Sequence, residues 1–96
     1  FVMNLDKAKK RIAKLVKRGD KGYPKVTIEY FGQSSDYATE VVVTFTLEEG
    51  AEQQHQKIVS KSNAQDDESI QSVIVKIIER SNVNTVFEID GISLIN

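Results

Sequence analysis

The sequence predicts a single two-layer α+β domain over residues 1–96, ordered α-β-β-β-α-β, an antiparallel meander with two helices on one face. Three observations carry this. Apolar residues recur with helical spacing near both 5–18 and 68–80, they alternate with polar ones through 25–31, 40–49 and 85–90, and turn-forming residues separate the blocks. With 40% hydrophobic and 28% charged residues, a 96-residue chain has one core and no room for a second.

The first helix is expected from Asn4 to Arg18. Leu5, Ala8, Ile12, Leu15 and Val16 fall on one side, while Lys7, Lys10, Arg11, Lys14, Lys17 and Arg18 fall on the other, and only Lys9 intrudes on the apolar stripe. Gly19 stands where a left-handed cap ends a helix, and Lys17 and Arg18 suit its negative end. Gly22, Tyr23 and Pro24 then enforce extended chain.

In the first strand Val26, Ile28 and Tyr30 face the core, and in the second Val41, Val43, Phe45 and Leu47 do so. Pairing Phe31 with Glu40 sets Tyr30 against Val41, Ile28 against Val43 and Val26 against Phe45, so one register buries both sets. "EGAE" at 49–52 reads as a two-residue hairpin with Gly first, which pairs Val43 with Ile58, Thr44 with Lys57, Thr46 with His55 and Glu40 with Lys61. The outer face then carries Phe31, Val42 and Val59 as a small apolar spot among polar residues.

"SNAQDDES" reads as a helix start, with Ser62 or Asn63 as cap and Asp66, Asp67 and Glu68 at the positive end of the dipole. Ile70, Val73, Ile74 and Ile77 form the apolar stripe, which ends near Arg80. Thr85 to Asp90 is the fourth strand, with Phe87 and Ile89 on one face, and "GISLIN" extends it, bends away or frays.

From Leu5 to Arg80 this element order is similar to that of the double-stranded RNA-binding domain, including an extended segment with proline after the first helix. The resemblance is one of order alone. It implies phosphate contacts from a lysine-rich start of the second helix, where this chain has Asp66, Asp67 and Glu68. Three carboxylates there repel a phosphate backbone, so that mode of RNA binding is not expected.

Charge is the most informative feature of function. Residues 1–26 hold nine basic and two acidic side chains, residues 27–96 four basic and twelve acidic, although the whole chain has a net charge of −1. A helix face so short of interleaved carboxylates is either the solvated side of a buried helix or a docking surface for an anionic partner, an acidic protein surface or nucleic acid. Lys7, Lys10, Arg11, Lys14, Lys17 and Arg18 are its candidate residues. Membrane-surface binding is disfavoured because the apolar stripe lacks Trp and is needed for the core.

Nothing points to catalysis. His55 is the sole histidine, and the register leaves it on the open face of the sheet, remote from Ser34, Ser35, Asp36 and Tyr37, which form a turn. The absence of cysteine rules out a disulfide framework and thiolate metal sites and fits a cytoplasmic protein. Consecutive carboxylates at 66–68 splay around a helix and do not converge on a cation, so neither metal nor cofactor is expected. No apolar run reaches the length of a membrane span. Two functions follow as expectations: a non-enzymatic interaction module using the basic amphipathic helix, or a self-associating module, such as a homodimer, pairing through the third strand or through "VFEIDGISLIN". Residues 1–3 carry no assignment.

Overall fold

The computed structural model describes residues 4–95. It contains α1 (Leu5–Lys17), β1 (Lys25–Gly32), β2 (Glu40–Thr46), β3 (Gln54–Val59), α2 (Glu68–Ser81) and β4 (Thr85–Leu94), with a single 3₁₀ turn (Ala64–Asp66) before α2. The strands form one mixed sheet in the order β3-β2-β1-β4, in which β4 runs parallel to β1 and the other pairs are antiparallel. Both helices cover the same face, and the order and layers are those the sequence predicts.

Asn4 starts α1 by accepting hydrogen bonds from the amides of Asp6 (2.9 Å) and Lys7 (3.4 Å). Ala8 and Ile12 are buried, Leu15 and Val16 partly so, and Gly19 takes a positive φ of 77° just after the helix, as a left-handed cap requires. The β1–β2 register is the predicted one, from Phe31 opposite Glu40 to Val26 opposite Phe45. Val26, Ile28, Tyr30, Val41 and Val43 therefore meet Ile12 of α1 and Ile70, Ile74, Val75 and Ile78 of α2 in one core. At the end of β1, a methyl group on Gly32 would overlap the backbone carbonyl oxygen of Tyr37, so the return of the chain toward β2 demands glycine.

The second hairpin differs from the predicted one. Val43 faces Gln56, Thr44 faces His55 and Glu40 faces Val59, a slip of two residues. The tight hairpin would have set Glu49 directly opposite Glu52, with Glu48 beside them, and like charges opposite each other destabilise a ladder. Instead pairing stops at Phe45 and Gln54, and a turn from Glu48 to Ala51 (amide to carbonyl, 3.0 Å) places Gly50 second, at φ 81°. An even slip preserves the faces, so Ile58 remains on the core side. Glu40 finds its opposite charge in Lys57, at 2.9 Å, and not in Lys61.

The start of α2 also divides in two. Asn63 caps the 3₁₀ turn and Asp67 caps the helix itself, accepting from Ser69 and Ile70 amides (3.0 and 3.2 Å) through one oxygen and from the Ser60 hydroxyl (2.8 Å) through the other. The buried stripe is Ile70, Gln71, Ile74, Val75 and Ile78; Val73 is exposed and Ile77 only partly buried. The six apolar residues between 70 and 78 allow two overlapping stripes, and the one with Gln71 is selected because that amide has buried partners. The helix ends at Asn82, in the left-handed conformation.

β4 extends through "GISL". Its pairing with β1 is interrupted between Glu88 and Ile92, where Gly91 has φ 77°, and resumes to Leu94. Val86 takes the core position opposite Val26, which leaves Phe87 on the open face and 57% exposed. Asn96, the last residue of the predicted tail, lies outside the described residues.

Candidate functional site

On an ideal helix Lys7, Lys10, Arg11, Lys14, Lys17 and Arg18 lie within an arc of about 120° and span roughly 16 Å of axis. All six are exposed, because the opposite side of α1 is committed to the core. The structure thus brings every candidate residue onto one surface.

Their electrostatic states differ. Lys10 pairs with Asp6 one turn earlier (3.1 Å) and Arg11 reaches Glu79 of α2 (2.9 Å). Among the described residues, Lys7, Lys14, Lys17 and Arg18 have no ion pair. Lys9, the residue that broke the helical pattern, leans off the apolar stripe to Asp66 at 2.8 Å and stays about half exposed. Lys25 pairs with Asp20 (3.2 Å) and stands 4.6 Å from the Tyr23 ring centre. On α1 the unpaired positive charge is consequently at 7, 14, 17 and 18, weighted toward the C-terminal half of the helix.

The remaining sequence candidates separate. Asp66 goes to Lys9, Asp67 caps α2, and Glu68 accepts the Leu5 amide at 3.2 Å, so the three acidic groups point to three different partners. No three His, Asp or Glu side chains converge as a cation site among the described residues. His55 lies on exposed β3 with its Nδ1 2.9 Å from the Thr44 hydroxyl, several rungs from the Ser34–Tyr37 turn. No helix among the described residues is long and apolar enough to cross a membrane.

A second feature escaped the sequence reading. Between α1, the start of α2 and the β1–β4 side of the sheet lies an open cavity of about 490 Å³, lined by Lys9, Lys10, Ile12, Ala13, Tyr30, Gln65, Gln71 and Glu88. Gln71, 2% exposed, donates both amide hydrogens, to the Tyr30 hydroxyl (2.8 Å) and to the Ala64 carbonyl (3.0 Å). Burial, with a smaller contribution from nearby Glu88, pushes the Tyr30 hydroxyl up to about 12, so it remains protonated. Glu88 faces the helices because it sits opposite Ile28, and burial, then the proximity of Asp90, raises its carboxyl above the usual range while Lys9 partly offsets this. The available signal was parity: Glu88 shares a face with Val86, two residues earlier.

Against these features the comparisons are silent: no protein-family model, no curated protein and no solved structure matches the chain.

Proposed function

We propose that the protein is a small, non-enzymatic interaction module that docks an anionic partner, an acidic protein surface or nucleic acid, on the solvent side of α1. The observation that supports this is the clustering of unpaired cations at Lys7, Lys14, Lys17 and Arg18, on a helix whose other charged residues are matched by carboxylates. A merely solvated helix face gains from alternating signs; this one leaves roughly 16 Å of positive surface on a chain that is acidic elsewhere.

Binding to duplex DNA, to RNA and to poly-glutamate is measured by fluorescence anisotropy at low and at moderate salt. The expected result is measurable affinity for one of these polymers, falling steeply with ionic strength and lost when Lys7, Lys14, Lys17 and Arg18 are changed together to Gln. Absence of binding to all three at low salt overturns the proposal.

A second reading is self-association by strand addition. It is supported by β3, which is an edge strand exposed over nearly its whole length, with its last residue, Val59, 69% exposed on the open face. A concentration-dependent mass in sedimentation that survives high salt is its signature, and a monomer at high protein concentration counts against it.

A further inference from the structure

The cavity beneath α1 shares only Lys10 with that helix's basic surface and has its own charge balance. Of its three charged lining residues, Lys9 is matched by Asp66 and Lys10 by Asp6. The Glu88 carboxylate has neither hydrogen bond nor ion pair among the described residues, although it faces the covered side of the sheet. Its carboxylate is therefore half-buried without a contact partner, offset only in part by Lys9, whose ammonium is bound to Asp66.

The neighbouring polar atoms have a definite sense. Since Gln71 commits both amide hydrogens to Tyr30 and Ala64, it offers the cavity only its carbonyl oxygen, which has no donor among the described residues. Two acceptors, the Glu88 carboxylate and the Gln71 oxygen, thus share a space that Ile12 and Ala13 also line. A half-buried carboxylate and a fixed acceptor beside an aliphatic wall are complementary to a cation with several N–H groups on an apolar stem.

We propose that this cavity binds a primary alkylammonium group, its nitrogen held by Glu88 and Gln71 and its chain lying along Ile12 and Ala13. The same group occurs in a free small amine and in the lysine side chain of a peptide, and the volume of about 490 Å³ accommodates either. Lys9 and Lys10, each held by its own carboxylate, attract an anion less than free lysines would, so the sign of selectivity rests on Glu88.

The test is a titration of the intact protein, followed by ¹H–¹⁵N correlation spectra, with butylammonium and with N-acetyl-lysine methylamide as probes and with butanol and butyrate as controls. Saturable shifts are expected at Ala13, at Gln71 including its side-chain amide, and at Glu88. Glu88→Gln, which removes a charge and keeps the shape, should weaken binding at least about tenfold, as loss of a charge-assisted contact does. Saturation by butylammonium with none by the capped lysine identifies a free amine as the ligand class; saturation by both identifies a presented lysine as well. Failure of both cations to saturate these signals, equal binding by butanol, or unchanged affinity in a folded Glu88→Gln protein overturns the proposal.

Discussion

The Gln71 side-chain nitrogen lies 2.8 Å from the Tyr30 hydroxyl, and this bond ties α2 to the middle of the sheet through two residues that are each almost wholly buried. Because the same nitrogen also satisfies Ala64, Gln71→Ala strands two buried acceptors and opens a hole. It is expected to cost about 2–3 kcal/mol in urea denaturation, whereas Tyr30→Phe, which leaves the Ala64 bond intact, costs about 1 kcal/mol.

The cations of α1 should be dispensable for folding. Lys14→Gln and Arg18→Gln are expected to change stability by less than about 0.5 kcal/mol, since neither side chain has a partner among the described residues and both are exposed. Arg11→Gln costs no more than about 1 kcal/mol, the usual limit for an exposed pair such as that with Glu79. Loss of binding in the quadruple variant, alongside an unchanged denaturation midpoint, then reports on docking and not on the fold.

Two carboxylates give opposite pH signatures. The folded protein holds a proton on Glu88 more tightly than the unfolded chain does, so stability falls as pH rises from the ordinary carboxylate range through the raised value. Glu88→Gln should therefore melt at a higher temperature than the parent at pH 7 and at the same temperature below about pH 4. Asp20 behaves in reverse: the Gly22 amide, then Lys25, hold it below 3.8, so its contribution is present above that value and is lost as pH falls through the lowered one. Asp20→Asn should flatten the acid limb of the stability profile, measured by thermal melts from pH 2 to 8.

Gly32→Ala is expected to be among the most damaging of the small changes, at about 2–3 kcal/mol, because the added methyl meets backbone and not a movable side chain. The same substitution at Gly22 meets open space and is penalised only by its φ of 88°. A comparison of denaturation midpoints separates collision from conformational strain.

The parts of this structure that sequence reveals are those decided locally or by parity. Alternation sets the faces of β1 and β2, and with both faces known a single register remains; helical spacing and Gly19 delimit α1. Where several arrangements satisfy the same pattern, the choice passes to longer-range forces. The β2–β3 register has the same faces in either alignment, and repulsion among Glu48, Glu49 and Glu52 selects between them. The stripe of α2 is chosen by what Gln71 meets across the core, and Glu88 enters the cavity because β4 lies parallel to β1, a pairing between distant segments that no local periodicity encodes. The six basic residues were legible because exposure follows from the helix pattern; of the two that are paired, Lys10 has a local partner in Asp6, whereas Arg11 depends on Glu79, brought near only by folding.

That parallel pairing also fixes an order of assembly. β1 can join β2 through a short connection as soon as both have been made, yet its other edge stays open until α2 has crossed the sheet and β4 has arrived. During synthesis the strand richest in buried side chains is therefore a bare edge for a long interval. The hairpin can form in microseconds, while closing the second edge waits on a much larger loop, so the folding rate of this chain is governed by β4 and not by the segments with the strongest local signals.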